Sequence, residues 1–102
     1  MEKKLKMIYL AGKLSGFKLW NYLVAWQYAR KLWRQGLIVY SPHLNETGIN
    51  VNLLTYEEWM ERDFDVIKRV DEVYMLPNWK KSAGAIREHF FAHQINKLIN
   101  YL

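Results

Sequence analysis

The chain has 102 residues, of which 51% are hydrophobic and 16% aromatic, with a formal net charge of +5 and no cysteine. That length fits one domain, residues 1–102. The apolar content excludes intrinsic disorder, and the lack of cysteine excludes disulfide and thiolate–metal frameworks. The basic balance suits anionic partners such as phosphate, nucleotide or nucleic acid. The positive residues are dispersed, however, with three of the fifteen in "EKKLK", so a solvated basic surface is the better account of them.

The opening "MEKKLKMIYLAGK" has too short an apolar run for a signal peptide. No run approaches the ~20 residues of a membrane-spanning helix. A cytoplasmic protein without a membrane partner is expected. "KMIYLAG" predicts a first strand ending at Gly12. A helix is predicted from Leu19 to Gln35, with Tyr22, Ala25, Trp26, Ala29, Leu32 and Trp33 as its apolar stripe and Gly36 as its stop. Trp26 and Trp33 read as core or subunit contact, and Leu23, Val24 and Tyr28 as an exposed patch suited to a second subunit. "LIVYSP" predicts a second strand stopped by Pro42. Residues 43–54 form a polar loop. "TYEE" is a capping box, Thr55 as N-cap and Glu58 reaching back, for a helix to about Val70. "EVYMLP" is a third strand, Ser82 the N-cap of a third helix to about Asn96, and "KLINYL" a short last strand.

Strands alternating with helices predict a parallel sheet with right-handed crossovers. Ligands bind such sheets at the carboxyl ends of the strands. Three strand ends lead into "AGKLSG", "SPHLNE" and "PNWKKSAG", and the site is expected where these loops converge.

Two carboxylates fall on apolar helical stripes. Glu88 has Gly84, Ala85, Phe91 and Ala92 as its three- and four-residue neighbours. Asp63 shares a row with Met60, Ile67 and Val70, whereas Glu57, Glu61, Asp65, Lys68 and Arg69 take exposed positions. Burying an ionised carboxylate without a partner is costly. Each is therefore either a structural group (Asp63 paired with an arginine or capping a loop, Glu88 accepting from backbone amides) or a group kept for acid–base or nucleophilic work. Paired carboxylates can carry glycosyl transfer. "SAGAIRE" adds an anion site: a hydroxyl at Ser82, close backbone approach at Gly84, helix-start amides, and Lys80 and Lys81 nearby.

The order "IYLAGKLSG", "SPHLNE" and "WMERDFDVIKRVDEVYMLPNWKKSAGAIREHFFA" resembles the nucleoside 2-deoxyribosyltransferase superfamily over about residues 7–95. It is closest to small phage and bacterial members and similar to the 2′-deoxynucleoside 5′-phosphate N-hydrolases. The most specific part is Asp63, Asp71, then Ser82-x-Gly84-x-x-x-Glu88, with Tyr9-x-x-Gly12 in support. The resemblance implies a Rossmann-like (flavodoxin-like) α/β three-layer sandwich with a parallel sheet of about four strands, assembled as a homodimer or larger homo-oligomer. It implies Glu88 as the nucleophile at C1′, Asp63 as the group acting near the leaving base, and Tyr9 as the residue orienting Glu88. It places Gly12 and the following loop, Lys13, Ser15 and Gly16, against sugar or phosphate, and Ser82 on a 5′-phosphate. Lys13 stands where small relatives have proline, which favours a phosphorylated ligand. Asn78 replaces the glycine of a frequent "PGW".

Trp79 follows the third strand and is either a base-stacking residue or core. His43 is either a loop residue contacting base or sugar or merely exposed. His89 and His93 stand at i, i+4, but no third ligand accompanies them, so no metal and no cofactor are expected. The expected activity is N-glycosidic cleavage of a (deoxy)nucleoside 5′-monophosphate, by hydrolysis or base exchange. The alternatives are a nucleotide-sensing module without turnover and nucleic-acid binding through the basic surface; the chain carries no recognisable nucleic-acid-binding motif.

Overall fold

The computed structural model describes residues 5–13, 18–42 and 53–102. Four strands, β1 (Met7–Ala11), β2 (Ile38–Tyr40), β3 (Glu72–Met75) and β4 (Leu98–Tyr101), alternate with three helices, α1 (Lys18–Arg34), α2 (Tyr56–Arg69) and α3 (Ala83–Gln94). A 3-10 turn, Trp79–Lys81, precedes α3. The strands form one all-parallel sheet in the order β2-β1-β3-β4. The architecture is the Rossmann-like three-layer α/β sandwich expected. Among the described residues, no helix is long and apolar enough to cross a membrane.

The chain moves outward from β1 to β2, then back across β1 to β3 and on to β4. Right-handed crossovers therefore put α1 on one face and α2 and α3 on the other. The two cores follow. Alternate residues of β1 point to opposite faces. Ile8 and Leu10 join Ala25, Ala29, Leu32 and Leu76 under α1. Tyr9 and Ala11 join Ile67, Val70, Val73, Met75, Ala85 and Ala92 under α2 and α3. Each such buried Val, Leu or Ile contributes roughly 1.5–3 kcal/mol of hydrophobic stabilisation.

The helix ends are written in local chemistry. Gly36 at φ 85° closes α1, with Gly36 N donating to Trp33 O at 2.9 Å and Leu37 N to Leu32 O at 3.2 Å. This paired pattern needs a left-handed residue, which glycine adopts without strain. The Thr55–Glu58 capping box starts α2, with Glu58 N donating to Thr55 Oγ1 at 3.2 Å and Thr55 N to Glu58 Oε1 at 3.0 Å. Those hydrogen bonds from Thr55, backbone first, hold the Glu58 carboxyl below its ordinary value.

The stripe on α1 is narrower than periodicity suggested. Asn21, Ala25, Ala29 and Leu32 are buried, whereas Trp26 and Trp33 are each 44% exposed. They flank the buried row, and Arg30 lies 5.5 Å over the Trp26 ring. Leu23 is exposed as expected, but Val24 and Tyr28 pack against the core under α1.

Candidate functional site

The helices return antiparallel to the strands, so α2 and α3 begin at the carboxyl rim of the sheet. They lie side by side and run the same way. Arg87 meets Glu57, Phe91 stacks on Phe64 with ring centroids 4.5 Å apart, and Lys97 Nζ donates to Lys68 O at 3.2 Å. The Arg87–Glu57 contact is bidentate, at 2.8 and 3.1 Å. It holds Glu57 below its ordinary value and Arg87 above its own. Being exposed, it registers the helices and adds little stability.

Asp63 and Glu88 are 3% and 4% exposed. Both are on the sheet-facing sides of their helices, Asp63 between Met60 and Ile67, Glu88 between Ala85 and Ala92. The helices touch at Gly84, where an added Cβ would lie 3.6 Å from Met60 Sδ and 3.5 Å from the Tyr56 hydroxyl. Asp63 is three residues beyond Met60, and Glu88 four beyond Gly84. Counted from the helix starts at Tyr56 and Ala83, both carboxyl-bearing positions lie about one to two turns along their helices.

Beneath Glu88 is Tyr9, fully buried in β1, whose hydroxyl donates to Glu88 Oε2. Parallel register sets Tyr9 beside Tyr40 on β2, and the rings stack with centroids 5.6 Å apart at 23°. A phenol so wedged has little freedom, so Glu88 is positioned from below by the sheet.

At the rim, Gly12 is buried where β1 ends. An added Cβ would overlap the Leu76 side chain and lie 3.0 Å from Asn78 Oδ1. Only glycine fits. Next to it, Lys13 N donates to Asn78 Oδ1 at 3.0 Å. Asn78 thus ties the turn after β1 to the turn after β3, at the point where strand order reverses. Ser82 caps α3 as expected, its Oγ accepting from Ala85 N at 3.2 Å. Capping uses an oxygen lone pair and leaves the hydroxyl proton to donate.

Trp79 is half-buried and stacks on His89, centroids 4.3 Å apart at 21°, and tilts toward Tyr101. His89 Nε2 and the Tyr101 hydroxyl are 2.6 Å apart. Burial, then the charges of His93 and Lys80, lower the pKa of His89. Among the described residues no group of three potential metal ligands occurs. Asp71 lies at the opposite end of the sheet, where its Oδ2 accepts from Met7 N at 2.8 Å. Ser15, Gly16 and His43 lie outside the described residues. The structure thus brings Tyr9 and Glu88 together under the rim carrying Gly12, Lys13, Asn78, Ser82 and Gly84, with Trp79 to the β4 side and Asp63 buried on the neighbouring helix.

A separate open groove of about 900 Å³ runs along α2, walled by residues including Tyr40, Glu58, Arg62, Phe64 and Phe91. Asp63 and Glu88 are not among its walls. Sequence reasoning assigned no role to Tyr40, which holds Tyr9, or to Trp59. The indole nitrogen of Trp59 is buried with no hydrogen-bond partner.

No curated protein matches the chain. Residues 6–101 match the model of a family described as a domain of unknown function (DUF4406), so nearly all of the chain is covered and the protein belongs to that family.

Proposed function

We propose that this protein is an N-glycosidase of (deoxy)nucleoside 5′-monophosphates, acting by hydrolysis or base exchange. The observation that carries the reading is the buried Glu88 carboxylate, held by the Tyr9 hydroxyl, with Asp63 buried on the sheet-facing side of the neighbouring helix. A carboxylate fixed by a buried phenol is pre-oriented for attack, which is how positioning lowers a barrier.

In the proposed reaction a Glu88 oxygen attacks C1′ and the C1′–N bond breaks. Its electron pair leaves with the base, which takes a proton from Asp63. Water, or a second base, then displaces Glu88 from C1′ and returns a proton to Asp63. Two displacements retain configuration. The start of α3 would bind the phosphate through backbone amides, the Ser82 hydroxyl and the charge of Lys80 and Lys81, with Lys13 contributing from the turn after β1. Gly12, Asn78 and Gly84 would shape the rim around the sugar. We place the protein in the cytoplasm as a homodimer or larger homo-oligomer.

The test is a panel of deoxynucleoside and nucleoside 5′-monophosphates and free nucleosides, with and without acceptor base, read by chromatography for released base. Release by the wild type and its loss in Glu88→Ala is the expected result. No release from any member overturns an enzymatic reading. Binding without release, unchanged in Glu88→Gln, would make the protein a nucleotide sensor.

A further inference from the structure

Trp59 occupies the first turns of α2, one turn before Asp63 and on the neighbouring flank of the helix. Its indole nitrogen is the one buried side-chain polar atom among the described residues that lacks a hydrogen-bond partner. Buried donors are almost always paired, and one left open is costly to the free protein. An indole nitrogen donates and does not accept, so what completes it must carry a lone pair.

Position narrows the occupant. Long side chains on a helix lean back toward its N-terminus. The N-terminus of α2 is at the carboxyl rim of the sheet, so Trp59, already one turn nearer that rim than Asp63, leans further toward it. Tyr56 and Met60, both on one flank of it, already meet Gly84 at the start of α3. Cationic and helix-start groups for a phosphate gather at Lys13, Lys80, Lys81 and Ser82. A neutral donor between that rim and the level of Asp63 suits a different part of the ligand, one offering a carbonyl oxygen or a ring nitrogen.

We infer that the Trp59 indole N–H is a recognition group for the nucleobase, donating to an acceptor on the base edge while Asp63 addresses its leaving nitrogen. The inference rests on the nucleotide reading above. Trp59 is then a specificity-determining residue: bases with an acceptor at that position are held, and the sugar phosphate alone leaves the N–H open.

The experiment uses the full chain labelled with ¹⁵N. The indole N–H resonance of Trp59 is assigned by its loss in Trp59→Phe. The probes are the four common deoxynucleoside 5′-monophosphates and 2-deoxyribose 5-phosphate, which has sugar and phosphate but no base. The expected result is a downfield shift of the Trp59 resonance with at least one nucleotide and none with the sugar phosphate. Trp59→Phe then weakens that nucleotide roughly tenfold, the usual scale for one lost hydrogen bond, and leaves the sugar phosphate unchanged. Nucleotide binding that leaves the Trp59 resonance unmoved overturns the inference while the functional reading stands. An equal loss for nucleotide and sugar phosphate in Trp59→Phe also overturns it. Failure of every probe to bind the wild type overturns the nucleotide reading and this inference together. Sequential assignment of the wild type identifies the Trp59 resonance independently, so its spectrum decides the matter even if the variant fails to fold.

Discussion

Tyr9→Phe removes one oxygen from the middle of the molecule. Tyr9 is 0% exposed and Glu88 4%, so water does not replace the lost donor. The phenyl ring keeps its stack on Tyr40, so little packing is lost. What disappears is a hydrogen bond to a buried carboxylate, a class worth about 1.5–3 kcal/mol. A loss of about 2 kcal/mol follows, or a Tm lower by roughly 10 °C for a domain of this size. The decisive measurement is a double-mutant cycle by urea denaturation at neutral pH. In a Glu88→Gln background the same change removes a neutral hydrogen bond, worth about 1 kcal/mol. Tyr9→Phe should therefore cost about 1 kcal/mol less there than in the wild type. Equal costs in the two backgrounds would refute a charge-assisted pair, and with it the claim that Tyr9 positions an ionised Glu88.

The cap that Ser82 makes and the ligand role proposed for it separate by substitution: Ser82→Ala should cost about 1 kcal/mol of stability, whereas Ser82→Asp keeps the cap. The aspartate sets a negative charge at the start of α3, so it should weaken nucleotide binding and spare that of the unphosphorylated nucleoside. Equal nucleotide affinity in Ser82→Asp and wild type would remove phosphate from this helix start. His89 gives a pH test. Its pKa is lowered in the folded protein, so the unfolded chain takes up its proton first as pH falls. The stability tied to neutral His89 is present above the ordinary value near 6.5 and is lost as pH falls through the lowered folded value. Denaturation curves between about pH 7 and pH 5 should be flatter for His89→Phe than for the wild type. Parallel curves would show that His89 does not govern this range.

The parts of the fold set by near neighbours in sequence were legible. Periodicity put Met60, Asp63, Ile67 and Val70 on one stripe, and all four are buried. The Thr55 and Ser82 caps also follow from local chemistry. Contacts between distant segments were not legible. The Tyr9–Tyr40 stack depends on strand register. The Asn78 tie to Lys13 depends on two loops meeting. Glu72, buried in β3, is met by Lys6 at 3.1 Å and by Asn100 at 3.2 Å, and no periodic pattern announces that trio. That contact, through its hydrogen bond and then its charge, also raises the pKa of Lys6. Trp26 and Trp33 mark the limit of a helical stripe: an aromatic at its margin fits the period yet stays 44% exposed. The place of Trp79 after a strand is legible, but its stack on His89, a ring engaged by the protein's own side chains, is not.

Tyr9 and Glu88 stand 79 residues apart along the chain. A growing or refolding polypeptide therefore owns neither half of the pair usefully until the first strand has been enclosed and the last helix laid across it. An N-terminal fragment ending before α3 cannot form the pair at all, and the pair's recovery on refolding should keep pace with the slowest long-range closure rather than with early helix formation.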